Sequence, residues 1–148
     1  MFRAKVKRVM AYQFTQTNLA GLPKMPVNSP IPAVEFIYKV CDSDVWQVAR
    51  QAGTFIGAEI DLQDGYIHFS TARQLRDTLV RHFTGRDDLV LLKIELNQLD
   101  IVWEAARDGD LFPHLYNHLP ISSVVADYEL KRSPSGDHII PDDCLYQS

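Results

Sequence analysis

Asp64-Gly65-Tyr66-Ile67-His68-Phe69-Ser70-Thr71 is the stretch around which the rest of the chain can be arranged. Asp64-Gly65 predicts a turn, because glycine reaches positive φ without a steric penalty. The residues that follow alternate as in a strand, which places Tyr66, His68 and Ser70 on one face and apolar side chains on the other. We expect the apolar face to be buried and the polar row to point away from it.

The strand is followed at once by a helix start. Thr71-Ala72-Arg73-Gln74 has the spacing of a capping box, so a helix is predicted where the strand ends. A polar row that ends at a helix N-terminus can hold a polar or anionic ligand. The same residues also fit a half-exposed strand in which His68 is structural, and both interpretations stay open at this point.

Hydrophobic spacing predicts two helices on either side of this stretch. The first follows the N-cap sequence 42–44 and closes at Gly53, and the second runs from Thr71 to Gly85. Residues 89–96 are almost continuously apolar, which is typical of a central strand buried on both faces. Further strands are predicted at 36–40, 101–104 and 122–130. A partly extended connection is predicted at 54–60, a proline-bounded loop at 112–120, and a short last segment at 138–140. The pattern is that of a β-rich α+β domain with one sheet of five or six strands.

The N-terminal part differs in composition from the rest. The net charge is −4, but residues 1–24 carry five basic and no acidic side chains, which leaves 10 basic and 19 acidic residues in 25–148. Four prolines lie within 19–34, so we predict a basic arm and proline-rich linker at 1–34 and a single globular domain at 35–148. Met25 is an alternative start.

Charge and composition also limit the partners. An acidic body disfavours non-specific binding to nucleic acid, so any such contact is expected only through the basic arm, which is more often a solvated tail. No apolar run reaches the ~20 residues of a membrane span and no secretion signal is evident, so we expect a cytoplasmic protein. Cys41 and Cys144 are expected to be reduced.

Polar aromatic residues on apolar segments are the candidates for chemistry. The common phosphate-loop, dinucleotide, zinc-protease and serine-hydrolase motifs are absent from the sequence. Trp103-Glu104 follows a predicted strand, and a carboxylate beside a tryptophan can have a raised pKa or stay ionised to stabilise a developing cation. A surface salt bridge for Glu104 and a core position for Trp103 are the alternatives.

His114 and His118 are four residues apart, the spacing of two metal ligands on one helical face. His68 or Glu104 could supply a third ligand. Such pairs are common by chance, and we expect no metal. His82 and His138 are expected to be structural.

Several of these segments together resemble the bacterial domain-of-unknown-function family 952. The resemblance extends from about Phe36 to Pro141 and rests on Ile37-Tyr38-Lys39-Val40, Trp46, the stretch 64–70, Gln74, Phe83, Trp103-Glu104 and Phe112-Pro113-His114-Leu115-Tyr116. That family is grouped with ADP-ribosyltransferase-like proteins, including the tRNA 2′-phosphotransferases. The resemblance implies a split β-sandwich with two helices near the N-terminal side, and NAD or an ADP-ribosyl-bearing molecule as the ligand.

The resemblance also implies site residues. His68 and Ser70 match the second histidine and the serine of the His-x-His-Leu-Ser strand of those enzymes, and Lys39 stands where they commonly carry Arg or His. Our first hypothesis is a transferase or hydrolase that acts at the nicotinamide–ribose bond with Glu104 and His68 as catalytic residues. Ligand contacts are expected from Lys39, Tyr66, Ser70, Trp103, His114 and Tyr116.

Two other functions remain open on the sequence. The first is a non-catalytic module that binds a nucleotide or a small metabolite in the same cleft. The second is a metal-dependent hydrolase that uses His114 and His118. The sequence does not define the oligomeric state.

Overall fold

The computed structural model describes residues 31–106 and 108–145. The basic arm, Met25 and most of the predicted linker lie outside these residues. The described part of the chain has the predicted α+β architecture, with three α-helices and eight short strands. No helix in these two ranges combines the length and the apolar character needed to cross a membrane.

The elements follow one another in a mixed order. The strands are β1 (Phe36–Asp42), β2 (Thr54–Phe55), β3 (Ile67–His68), β4 (Leu89–Glu95), β5 (Val102–Ala105), β6 (Leu111–Leu115), β7 (Leu119–Pro120) and β8 (Val124–Leu130). The helices are α1 (Ser43–Ala52), α2 (Glu59–Asp64) and α3 (Ala72–Phe83), with short 3-10 turns at Ile121–Ser123 and Asp142–Cys144.

The strands form three small sheets. All pairings are antiparallel, in the orders β1-β4-β8, β3-β6-β5 and β2-β7. The predicted single sheet of five or six strands is therefore wrong. Ser70 lies just beyond β3 and makes an isolated bridge to Tyr38 of β1, with N–H···O distances of 2.8 and 2.9 Å. This bridge joins the edges of the two three-stranded sheets, so the chain passes from one sheet to the other.

Strand β4 is the central strand of its sheet, as its apolar run predicts. Its side chains alternate between two hydrophobic clusters. On one face Leu92 and Ile94 share a cluster with Trp46 of α1, and on the other Leu89 and Leu91 share a cluster with α3. Each helix thus covers one face of the same sheet, which is why residues 89–92 of the strand are apolar on both faces.

Both cysteines are free thiols, and both are buried. Cys41 lies in the cluster on the α1 side and Cys144 in the cluster on the α3 side. Burial is the main cause that raises the pKa of the Cys41 thiol to about 12. The thiol is therefore held in its neutral form at ordinary pH.

The two predicted helices are present. Gly53 ends α1 with φ 85° and donates its N–H to Ala49. Thr71 and Gln74 form the predicted capping box of α3, because each side chain accepts a hydrogen bond from the other residue's N–H. The helix itself ends at Phe83, two residues before the predicted glycine.

Two predictions around the opening stretch are corrected by the structure. The segment 54–60, predicted as a partly extended connection, contains the short strand β2 and also the start of α2, which was not predicted. The strand predicted at 66–70 is reduced to Ile67–His68. Gly65 caps α2 with φ 87°, so Tyr66 leaves a helix terminus, and Ser70 already bridges to the other sheet.

The segment 112–120 is not a loop. Most of it forms β6 and β7, and Pro113 lies inside β6, the middle strand of its sheet. The carbonyl of Pro113 still accepts a hydrogen bond from the N–H of Phe69 at 3.1 Å. The sheet therefore loses only the hydrogen bond that a backbone N–H at this position would donate.

Gly57 makes a close approach that no other residue could make. Its φ is 120°, and a methyl group added to its Cα would lie 2.8 Å from Cβ of Asp61. Gly57→Ala should therefore lower the free energy of unfolding by about 1–3 kcal/mol through backbone strain and this clash. The measurement is a urea unfolding curve.

Gly53→Ala is the matched control. Gly53 also has positive φ, but a methyl group there meets no atom within 4 Å. We expect it to cost less than Gly57→Ala, on the order of 1 kcal/mol, from the left-handed backbone alone. Equal losses in the two variants would show that contact with Asp61 does not constrain Gly57.

Candidate functional site

One face of the sheet β3-β6-β5 carries a row of polar side chains. His68 lies directly opposite His114, and His114 lies opposite Val102. Directly opposed residues share a face, and side chains two apart along a strand share it too. The same face therefore receives Glu104 from β5. The opposite face of the sheet carries Ile67 and Leu115, which are buried in the hydrophobic core.

Four aromatic and imidazole rings meet on the polar face, with Tyr66 at the centre. The centroid of its ring lies 4.6 Å from that of His68, 4.2 Å from that of His114 and 5.0 Å from that of Tyr116. The two imidazoles contact each other edge to face, with centroids 5.4 Å apart. We call these four residues, together with the carboxylates of Asp61 and Glu104, the Tyr66 cluster.

Glu104 forms one of two carboxylate–histidine pairs in the cluster. Its Oε1 lies 2.6 Å from Nδ1 of His114, and the hydroxyl of Tyr116 donates to the same carboxylate at 2.8 and 3.1 Å. Glu104 is 7% exposed. Because a carboxylate oxygen accepts hydrogen bonds, this contact is a hydrogen bond when Nδ1 of His114 carries the proton.

Asp61 forms the second pair and is the most buried carboxylate of the cluster. Its oxygens accept from Nδ1 of His68 at 2.7 Å, from the N–H of His68 at 3.0 Å and from the N–H of Ala58 at 2.7 Å. The ammonium of Lys39 approaches to 2.8 Å. Burial opposes ionisation most strongly, but the contacts with His68, Lys39 and Ala58 together lower the pKa of Asp61 to about 2.

His68 lies between two carboxylates. Asp61 faces its Nδ1, and Oδ2 of Asp64 lies 3.0 Å from its Nε2. Each contact is a hydrogen bond when the ring nitrogen that it involves carries a proton. The Asp61 side chain is 1% exposed and that of Asp64 is 41% exposed, so the two carboxylates hold the ring from inside and from outside.

The structure brings together five of the residues predicted from the sequence. These are Tyr66, His68, Glu104, His114 and Tyr116. Lys39 lies behind them, 5% exposed and paired with Asp61. It therefore reaches the cluster only through this carboxylate.

Two other predicted residues lie apart from the cluster. The hydroxyl of Ser70 is buried and lies 2.8 Å from that of Thr78 on α3. Trp103 precedes Glu104 on β5, so it points to the opposite face, where it packs against the hydrophobic core.

The HxxxH pair does not form a helical metal site. His114 is buried in β6, whereas His118 is exposed in the turn before β7, so the helical spacing on which the prediction depended is wrong. Among residues 31–106 and 108–145, no group of three or more His, Cys, Asp or Glu side chains is placed to hold a metal ion. His82 is exposed on α3, and Nε2 of His138 lies 2.8 Å from the carbonyl of Arg86.

Asp61 is the one member of the cluster that the sequence did not indicate. It lies on the six-residue α2, whose neighbouring side chains Ile60 and Leu62 are exposed. Burial on this helix is thus the reverse of an amphipathic pattern. The available signal was Gly57, whose left-handed backbone lies against Asp61.

Fold and site together define a small α+β protein with a half-buried cluster of two carboxylate–histidine pairs. The family model described as protein of unknown function (DUF952) matches residues 40–127, more than half of the chain. The chain belongs to this family. No curated protein matches it.

Two solved structures of protein CC0527 from Caulobacter crescentus are similar to this chain. The crystal structure is 36% identical, with a TM-score of 0.70, and the match covers 75% of this chain and 99% of that one. The solution NMR structure is 39% identical, with a TM-score of 0.63, and the match covers 69% of this chain and 90% of that one. Both are experimental structures, and both are similar in fold to the α+β structure described above.

Asp61→Asn should destabilise the protein strongly. The substitution keeps the shape of the side chain but leaves the 5% exposed Lys39 without its charged partner. Breaking a buried ion pair from one side costs about 3–5 kcal/mol. Asp64→Asn is the matched control, since its half-exposed contact with His68 should contribute no more than about 1 kcal/mol. Urea unfolding at pH 7 measures both, and similar losses would contradict this account of Asp61.

The stability of the protein should also fall in acid through Asp61. Its pKa is lowered in the folded state from 3.8 to about 2. The stabilisation is therefore fully present above pH ~4 and is lost as the pH falls toward 2, by about 2 kcal/mol. The difference in unfolding free energy between the wild type and Asp61→Asn, measured between pH 6 and 2, should narrow by about 2 kcal/mol toward the acid end. Parallel curves would contradict the assignment.

Proposed function

We propose that the Tyr66 cluster binds NAD or another ADP-ribosyl-bearing ligand and acts as a transferase or hydrolase at its ribosyl bond. The observation that carries this proposal is the geometry of Glu104. Its carboxylate is buried and held by His114 and Tyr116, whose rings both lie against the ring of Tyr66. The resemblance to ADP-ribosyltransferase-like proteins supports the same ligand class.

The chemistry of such a ligand fits this carboxylate. Cleavage of the nicotinamide–ribose bond develops positive charge on the ribose, as in glycoside hydrolysis. A carboxylate fixed in place before the reaction stabilises that charge without having to reorganise. Tyr66 and Tyr116 present aromatic surface against which a nicotinamide or adenine ring can stack.

The cationic contacts differ from those that the sequence suggested. Lys39 is engaged by Asp61, so the ligand contact that the resemblance implied for it passes to His68 in this proposal, as a contact to phosphate. The side chain of His68 is 32% exposed and carries positive charge when both nitrogens donate. A phosphate oxygen could replace Asp64 on Nε2, since that carboxylate is the more exposed partner.

A non-catalytic binding module is the second candidate, and the engagement of Lys39 favours it. Lys39 is buried in an ion pair with Asp61, so its ammonium group cannot contact a pyrophosphate directly. In this case the cluster would bind the nucleoside part of a ligand by stacking and would not catalyse its cleavage.

Ligand-dependent melting tests the binding step. NAD or ADP-ribose at about 100 times its Kd should stabilise the protein by roughly 2.7 kcal/mol, which raises the Tm by a few degrees. A chelator should not change this shift. The absence of a shift with NAD, ADP-ribose and mononucleotides would contradict the proposal.

Glu104→Gln separates catalysis from binding. The substitution keeps the shape and removes the charge, so NAD turnover should fall about 100-fold or more, with a much smaller change in NAD affinity. Glu129→Gln is the matched control, because Glu129 is an exposed strand carboxylate on β8. Binding without turnover in the wild type would favour the non-catalytic module.

A further inference from the structure

A groove of about 190 Å³ lies between α3 and the turn 133–137. This volume is slightly larger than the ~150 Å³ that accommodate a benzene ring, so the groove suits a small molecule. The helix side and the turn side each provide a wall. The wall residues are Arg76, Leu79, Val80 and Thr84 on the helix side, and Gly136, Asp137 and His138 on the turn side. None of these seven belongs to the Tyr66 cluster, so the groove is a separate part of the molecule.

The turn that forms the second wall is attached to the segment that follows α3. The guanidinium of Arg132 donates to both carboxylate oxygens of Asp87, at 2.8 and 2.9 Å. Arg132 also forms an antiparallel bridge with His138, whose Nε2 lies 2.8 Å from the carbonyl of Arg86. These contacts hold the turn beside the C-terminus of α3, so the groove belongs to the folded structure.

Two opposite charges line the groove without pairing with each other. The guanidinium of Arg76 makes no hydrogen bond or ion pair within the ranges 31–106 and 108–145. The carboxylate of Asp137 accepts a hydrogen bond only from the hydroxyl of Ser135 in these ranges, at 3.3 Å. Each of the two charges can therefore take an oppositely charged group of a ligand.

His138 adds a buried hydrogen-bonding group to the groove. The residue is 7% exposed. Because a carbonyl oxygen only accepts, its contact with Arg86 is a hydrogen bond when Nε2 carries the proton. The other ring nitrogen, Nδ1, has no hydrogen-bond partner in the described part of the chain. Buried polar atoms normally have a partner, so Nδ1 is a contact point for a molecule in the groove.

An apolar stretch separates the two charges. The helix side of the groove extends from Arg76 to Thr84, which is about 12 Å along the helix axis. Leu79 and Val80 lie in the intervening turn, and Val80 is 59% exposed. The turn that carries Asp137 is held beyond the C-terminus of the helix, at the other end from Arg76. A ligand that contacts both charges must therefore be extended and apolar in its middle part.

We propose that this groove binds a short ω-amino acid, a molecule with a carboxylate and an ammonium group at opposite ends of an apolar chain. The carboxylate pairs with the guanidinium of Arg76. The ammonium group donates to the carboxylate of Asp137 and to Nδ1 of His138. The methylene groups between them cover Leu79 and Val80.

The charges of the groove select this class over related molecules. A carboxylic acid without an ammonium group would leave Asp137 without a partner, and an amine without a carboxylate would leave Arg76 without one. In an α-amino acid the two charged groups are on neighbouring atoms, so they cannot contact both ends of the groove. Only a zwitterion whose charges are far apart satisfies both ends.

Isothermal titration calorimetry with a series of probes tests the ligand class. The series runs from glycine through 4-aminobutyrate to 6-aminohexanoate, with hexanoate and hexylamine as molecules that carry one of the two charges. Affinity should rise with chain length, and 6-aminohexanoate should bind about 10-fold more tightly than hexanoate, hexylamine or glycine. Equal affinity for hexanoate and 6-aminohexanoate, or binding of none of the probes, would overturn the inference.

Variants of the two charged residues test the location of the site. Arg76→Gln and Asp137→Asn should each weaken the binding of 6-aminohexanoate about 10-fold. Both side chains are exposed, so we expect both variants to fold. Asp137→Asn should not weaken the binding of hexanoate, because that probe has no ammonium group. Arg73→Gln is the matched control, an exposed arginine of α3 that does not line the groove. Unchanged affinity in Arg76→Gln or Asp137→Asn would overturn the inference.

Histidine NMR of the wild type examines the third contact without a substitution in a buried position. Addition of 6-aminohexanoate should shift the ring signals of His138, and it should not shift those of His68 and His114. Shifts at His68 or His114 with none at His138 would overturn the inference, because they would place the probe in the Tyr66 cluster.

The inference and the proposed function can fail separately. Glu104→Gln should leave the affinity for 6-aminohexanoate unchanged, and Arg76→Gln should leave the shift of the Tm with ADP-ribose unchanged. Loss of 6-aminohexanoate binding in Glu104→Gln would overturn the groove as its site. A missing shift with ADP-ribose in the wild type would contradict the proposed function only.

Discussion

The buried carboxylate of Asp61 holds this part of the molecule together. A charge that is 1% exposed is costly unless hydrogen bonds replace the water it has lost, and Asp61 obtains them from three different segments. Lys39 comes from β1, the N–H of Ala58 from the start of α2, and His68 from β3. One side chain therefore fixes two sheets and a helix relative to each other, and the orientation of His68 follows from this arrangement.

The parts of the fold that the sequence predicted are those in which burial and periodicity agree. Helices α1 and α3 have apolar stripes, with Gly53 capping the C-terminus of α1 and Thr71 the N-terminus of α3, and β4 is mostly apolar because a helix covers each of its faces. Helix α2 gave no such signal, since its buried residue is an acid. Strand β6 was not predicted because it contains Pro113, and proline is usually absent from the middle strand of a sheet.

The site was predictable as a set of residues but not as an arrangement. Histidine and tyrosine on apolar segments indicated most of the Tyr66 cluster. Their pairing depends on the register of β3, β6 and β5, which joins segments about 45 residues apart in sequence. Adjacent residues of a strand face opposite ways, so the sequence could have predicted that Trp103 and Glu104 lie on different faces of the sheet. The engagement of Lys39 was not predictable without α2.

The reactivity of the two buried thiols described above can be used to measure local unfolding of the protein. Cys41 and Cys144 are the two cysteines of the sequence, and they lie in the clusters on opposite faces of the sheet β1-β4-β8. A thiol reagent can modify either one only when its cluster is transiently exposed. The rates of alkylation at the two positions therefore compare the local fluctuations of the α1 side with those of the α3 side, without any label being introduced into the chain.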